Sequence, residues 1–142
     1  MELETLYREL ILDHARNPRH NKPLDHADAQ AEAFNPLCGD RLELMLRYED
    51  ETIAQVGMRV RACAICQAAA SLTGDCIIGM AKDKAGAHGE ALRSALGEDG
   101  GDLPEALQPM APLLHLRSQR SRHRCITLVW DALDDCLDQK KS

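Results

Sequence analysis

Aromatic residues are almost missing from this 142-residue chain: one Trp, two Tyr and one Phe, 3% in all. A core must therefore be built from Leu, Ile, Val, Ala and Met, which the 44% apolar content allows. Basic excess is missing too. Seventeen Lys and Arg face 23 Asp and Glu, a formal net charge of −6. A general nucleic-acid binder needs a positive surface, so no nucleic-acid partner is expected. No apolar run reaches about 20 residues, the length a bilayer demands, so no membrane span is expected. The N-terminus lacks a cationic stretch leading into an apolar one, the mark of a secretory leader, and the expected location is cytoplasmic. Neither internal repeats nor low-complexity segments break the chain. Its length suits a single domain over residues 1–142 with one core.

Cysteine, by contrast, is plentiful. Six sit at positions 38, 63, 66, 76, 125 and 136. An even count suits disulfides in an oxidising compartment, but a cytoplasmic chain keeps its thiols reduced. Clustered cysteines there read as metal ligands or catalytic groups.

The local patterns describe an α+β chain, a small antiparallel sheet of about three strands packed by helices. Leu3, Leu6, Tyr7, Leu10, Ile11 and His14 recur at helical spacing over residues 3–16. Asn17-Pro18 ends that run, because proline disfavours helix at the residue before it. Residues 18–28 read as a loop and 29–34 as a strand. Over 41–48 the alternation predicts a strand with Leu42, Leu44, Leu46 and Tyr48 inward and Arg41, Glu43, Met45 and Arg47 outward. A polar turn at 49–51 leads into a second strand over 52–60, forming a hairpin. The Ala-rich run from Ile65 to Met80 predicts a buried helix. Residues 83–101, rich in Gly, Asp and Lys, predict a surface insertion with a short helix near 88–96. A helix is expected over 103–116, capped near Asp102, with Pro109 and Pro112 as points where it splits. Arg117, Arg120, Arg122, His123 and Arg124 make a local basic patch. Ile126, Val129, Trp130, Leu133 and Leu137 then predict a last helix over 125–138.

Chemistry concentrates at Asn35-Pro36-Leu37-Cys38-Gly39-Asp40. Two side chains either side of a glycine can converge on one ion, because glycine permits a turn with positive φ. On these patterns Cys63 precedes one helix and Cys125 starts another. Helix N-terminal amides favour a thiolate. Three thiolates and a carboxylate can close a tetrahedral metal site or cradle an iron–sulfur cluster. Spacing alone does not separate that reading from three unrelated buried cysteines.

Several motifs, in order, resemble the NifU/IscU/SufU family of iron–sulfur cluster assembly proteins over nearly the whole chain. They are Tyr7-Arg8-Glu9, Asp13-His14 with Asn17-Pro18-Arg19, the stretch Asn35–Asp40, Cys63-Ala64-Ile65 with Ala68–Ser71, and Arg122-His123-Arg124-Cys125 with Thr127-Leu128 and Trp130. The resemblance implies a metal site of Cys38, Asp40, Cys63 and Cys125. IscU-type members carry His immediately before the last cysteine; here Arg124 stands there. The long gap between Cys63 and Cys125 is similar to the SufU branch, whose extra segment would fall roughly within 83–116. That branch implies Zn²⁺ at the site and a zinc-dependent sulfurtransferase. It would take persulfide sulfur from a SufS-type, PLP-dependent cysteine desulfurase and pass it to downstream iron–sulfur assembly proteins. Cys38 would be the sulfur acceptor, and Arg122 would steady its thiolate or persulfide.

Two other functions use the same ligands: a scaffold that assembles and transfers a [2Fe–2S] cluster, and a structural zinc module that docks a partner. Cys66 departs from the family pattern. It creates a CxxC with Cys63, which leaves an alternative ligand or a redox pair open beside simple burial. Cys76 and Cys136 read as core filler. His14 reads as a core-facing helix residue and His20 as a possible partner contact. His123 is one step out of register to replace the missing His ligand.

Overall fold

The structure is a computed structural model that describes residues 2–97 and 100–139. Three strands form one antiparallel sheet in the order β1-β2-β3: β1 Ala29–Asn35, β2 Asp40–Glu49 and β3 Thr52–Arg61. Four α-helices surround it: α1 Leu3–Arg16, α2 Ala64–Ile77, α3 Lys82–Leu96 and α4 Arg120–Asp138. A 3-10 helix, Glu105–Leu116, links α3 to α4. This is the expected α+β architecture.

Register follows from the alternation. Leu44 pairs with Ala31 on one side and Met58 on the other, and Leu42, Leu44 and Leu46 are all buried. Helix α4 lies across β1 and β2 and also packs on α2. Trp130, the single tryptophan, is fully buried in the core between these layers. The β2–β3 turn holds Asp50 and Glu51 at φ 50° and 66°. These are the left-handed positions that a two-residue hairpin turn needs. Lys82 secures that turn from α3: its amide donates to the Glu51 carbonyl at 2.9 Å, and its ammonium sits 4.1 Å from the Tyr48 ring centroid.

Four expectations need correction. Residues 82–96 form a full helix rather than a short one near 88–96, and it is partly buried: Ala85, Leu92, Ala95 and Leu96 are inside. Gly89 lets that helix approach Trp130, since a Cβ there would lie 3.0 Å from the indole. Pro109 and Pro112 do not split the 105–116 segment. It runs through both as 3-10 turns that bury Leu107, Met110, Leu113 and Leu116. Met45, expected outward, is 4% exposed. Residues 20–24 cross that face: the Met58 amide donates to the Lys22 carbonyl, and Leu24 stands over Gly57, the partner of Met45. Finally, α4 begins at Arg120, so the basic patch is largely its first turn and Cys125 lies inside the helix.

Gly57 tests that crossing. An alanine Cβ would meet the Lys22 carbonyl oxygen at 2.7 Å and Leu24 Cγ at 2.8 Å. Gly57→Ala must push the segment away and break its bond to Met58. We expect a loss of roughly 1–3 kcal/mol, read as a lower urea midpoint at unchanged slope.

The α1–β1 connection is pinned to α2. His14 Nδ1 lies 2.7 Å from Ser71 Oγ, which also accepts the Arg19 amide at 2.9 Å. His20 Nε2 meets Asp75 at 2.7 Å, packed where Gly74 has no side chain. His14 is therefore a core residue and His20 an anchor of the loop. Burial, reinforced by the Arg19 charge, lowers the His14 pKa below 6.5 against the pull of Asp13 and Asp75. The folded state then favours neutral His14. Below about pH 6.5 the unfolded chain binds more protons, so stability falls with acidification until the depressed folded pKa is passed. His14→Asn should remove that part of the slope, measured as the difference between urea titrations at about pH 7.5 and 5.5.

Candidate metal centre

The end of the sheet next to α2 brings distant residues together. In an antiparallel pair, β2 starts where β3 stops: Arg41 pairs with Arg61. Asp40, the first residue of β2, is thus beside Cys63, which follows β3 by two positions. The Cys63 amide donates to Asp40 Oδ1 at 2.9 Å. On the other side, Asn35 pairs with Asp40 and closes the β1–β2 connection. Asn35 is buried and its side-chain oxygen accepts the Leu37 amide, while its carbonyl accepts the Gly39 amide at 2.8 Å. Gly39 has φ 74°, the left-handed conformation glycine adopts without strain. This turn lifts Cys38 out of the sheet and folds it back over Asp40.

The result is a carboxylate ringed by thiols. Cys38 Sγ donates to Asp40 Oδ2 at 2.9 Å, and Cys63 Sγ lies 3.6 Å from the same oxygen. Ligand atoms of Cys38, Asp40 and Cys125 all lie within 4.8 Å of one another. Cys125 reaches the cluster from the second turn of α4. Asp40 and Cys125 are buried, Cys63 is half-buried and Cys38 is exposed. Cys38, Asp40 and Cys125 thus lie close enough to share one ion, Cys63 stands beside Asp40 without joining that tight group, and Cys38 is the exposed member.

Burial pushes the Asp40 carboxyl up, but hydrogen bonds from the Cys38 thiol, the Cys63 amide and the Cys125 and Cys63 thiols outweigh it, so its pKa is lowered. Burial also pushes Cys125 up to about 12, with the charges of Cys63, Asp40 and Cys38 adding to it. The helix N-terminus invoked for Cys125 does not serve it, because α4 starts a full turn earlier. Cys63 does occupy such a place. It is the N-cap of α2, and its sulfur accepts the Cys66 amide at 3.5 Å. Three thiols and one carboxylate, with Cys38 exposed and Cys125 buried, are a donor set that suits Zn²⁺, a borderline-soft cation that takes tetrahedral sulfur and oxygen ligands.

The remaining candidates separate. Arg122 is exposed on the first turn of α4, and its charge reaches the Tyr7 hydroxyl, which also feels Cys63 and Cys125. His123 Nε2 bonds the Arg117 carbonyl at 2.8 Å, away from the cluster. Cys76 and Cys136 lie apart from it, and Cys66 is buried against it. Tyr7 is a neighbour that periodicity did not reveal as such. Its ring packs on His115 at 5.0 Å between centroids, and helical spacing marked it simply as part of an apolar face.

The family description NifU-like N terminal domain matches residues 6–112. The chain belongs to that family. Among curated relatives it is similar to the zinc-dependent sulfurtransferase SufU of Bacillus subtilis, 30% identical, covering 93% of this chain and 89% of the relative. It is also similar to the iron–sulfur cluster assembly scaffold protein IscU of Streptococcus pyogenes, 26% identical, covering 96% and 85%. The crystal structure of a nitrogen-fixing NifU-like protein (N-terminal) from Brucella abortus superposes with a TM-score of 0.84 at 28% identity, covering 93% and 92%. Both NifU-like assignments agree with the sheet and helices described above.

Proposed function

We propose that this NifU-family chain is a zinc-dependent sulfur acceptor in iron–sulfur cluster assembly, working with a SufS-type cysteine desulfurase. The observation that carries the reading is the contrast within the cluster: Asp40 and Cys125 are buried, whereas Cys38 is exposed on a turn. Cys38, Asp40, Cys63 and Cys125 would hold Zn²⁺. When bound, the ion keeps thiols ionised at neutral pH while damping their reactivity.

Within that site Cys38 is the group that can leave. Its Sγ, once released as a thiolate, attacks the outer sulfur of the desulfurase cysteine persulfide. A new S–S bond forms on Cys38, the old S–S bond breaks, and the desulfurase cysteine departs as its thiolate. Asp40 stays in place, fixed by the Cys63 amide. Leu37, next to Cys38 and 90% exposed, offers an apolar contact to the partner. Arg122, whose charge reaches Tyr7 as do those of Cys63 and Cys125, would supply the positive charge that steadies the thiolate or persulfide. Residues 83–116, which fold as α3 and the 3-10 helix, are read as the addition that marks the SufU branch.

The second reading is a scaffold that assembles and passes on a [2Fe–2S] cluster, the role named for the IscU relative. A carboxylate ligand beside three thiolates favours loose holding of a cluster. Purified protein, a desulfurase, cysteine and reductant decide between them. Zinc in the native protein, faster sulfide release and persulfide on this chain support transfer. A coloured cluster that moves to an apo-acceptor, without stimulation by the zinc form, overturns it.

A further inference from the structure

Cys66 takes no part in the chemistry proposed above, yet it is neither remote nor randomly placed. Cys63 is the N-cap of α2 and Cys66 is the third residue of that helix. Cys63 Sγ already points into the first turn, accepting the Cys66 amide at 3.5 Å. Residues three apart on a helix have Cα atoms roughly 5 Å apart, inside the range that a disulfide spans. Cys63 is half-buried and Cys66 is 1% exposed. One thiol can therefore meet a reagent from solution, and the other can meet Cys63.

We propose that Cys63 and Cys66 form a reversible dithiol–disulfide couple at the N-terminus of α2, oxidised by small-molecule disulfides. The Cys63 thiolate attacks the reagent, forming a mixed disulfide and expelling one small thiolate. The Cys66 thiolate then attacks the Cys63 sulfur, closing the Cys63–Cys66 bond and expelling the second. The protein loses two electrons and two protons, and one small-molecule disulfide becomes two thiols. An N-cap cysteine open to solvent with a buried partner one turn on suits this order of events. Closing the couple also removes Cys63 from the metal ligands. That consequence rests on the ligand set proposed above; the couple itself does not.

Full-length, metal-free protein treated with glutathione disulfide, alkylated and digested with trypsin provides the test. Cleavage after Arg61 and Lys82 leaves Cys63, Cys66 and Cys76 in one peptide. In the wild type this peptide should be lighter by two hydrogens, carry one alkyl group on Cys76 and hold no glutathione. Cys66→Ser should instead retain one glutathione on Cys63. A wild-type peptide that keeps glutathione, or links to Cys38 or Cys125, overturns the proposal. Zinc uptake by the same samples, measured after the glutathione disulfide treatment, separates the two claims. A Cys63–Cys66 disulfide with zinc binding unchanged defeats the ligand set and leaves the couple. No disulfide, with zinc bound and lost on Cys63→Ser, defeats the couple and leaves the ligand set.

Discussion

Cys38→Ser should leave a cognate desulfurase at its unstimulated rate and carry no persulfide, while the protein stays folded. Serine keeps the shape of the side chain and removes the nucleophile. A hydroxyl at ordinary pKa is a far weaker nucleophile than a thiolate at neutral pH. The fold should not notice, because Cys38 is exposed on its turn and the turn is held by others. The Asn35 carbonyl and side chain take the Gly39 and Leu37 amides, and Gly39 supplies the positive φ. Cys125→Ser is the informative partner. Its thiol is buried, so it should weaken metal retention more than it alters which residue is persulfidated. Sulfide production with and without each variant, together with persulfide mapping by mass spectrometry, measures both effects. Full stimulation by Cys38→Ser would move the acceptor role to another thiol.

The sheet was legible because its side chains obey a period of two over a long run. Leu42, Leu44 and Leu46 alternate with Arg41, Glu43, Met45 and Arg47, and nothing in that stretch competes with a strand. Met45 escaped for a reason outside the strand: the 20–24 segment, lying across Gly57, covers a face that β2 alone would leave wet. Helix α3 escaped because its apolar stripe is thin. Ala85, Gly89, Leu92 and Ala95 hold a helical spacing, but two of them are alanine and one is glycine, and the rest of the segment is mostly charged or small residues. The glycine that argues locally against helix is the residue that lets the helix reach Trp130. Helix α4 hid its start behind charge. Arg120–Arg124 reads as a basic patch and is also sound helix material, arginine being a strong helix former.

The same difference of scale applies to the metal centre. The family resemblance, not spacing, pointed to Cys38, Asp40, Cys63 and Cys125, and the fold shows why two of them are adjacent: β2 begins where β3 ends. What no local pattern contains is the burial of each donor. Cys125 was assigned to a helix start, where amides would favour its thiolate. One extra turn of α4 instead places it in the core, where burial pushes it the other way. Cys63, by contrast, does cap its helix. The three thiols therefore differ in kind: one exposed on a turn, one at a helix end and one buried within a helix.

On the zinc reading proposed above, chelation should lower the melting temperature without unfolding the protein. The ion binds the native chain and has no preformed site in the unfolded one, so it stabilises in proportion to the logarithm of its excess over Kd. At about a thousandfold excess this is about 4 kcal/mol, on the order of 10 °C or more for a domain of this size. A zinc finger would unfold outright on the same treatment, since it has little else to hold it. Here the metal-free cluster is itself satisfied. Asp40 accepts the Cys63 amide and the Cys38 thiol, and the buried core around Trp130, Leu44 and Met58 is built mostly from residues other than the proposed ligands, Cys125 being the one it includes. Calorimetry before and after chelation, with far-UV circular dichroism at 25 °C as the check on folding, measures the shift. An unchanged melting temperature would remove the metal from this site. Complete loss of helical signal at 25 °C would mean that the hydrophobic core cannot stand without it.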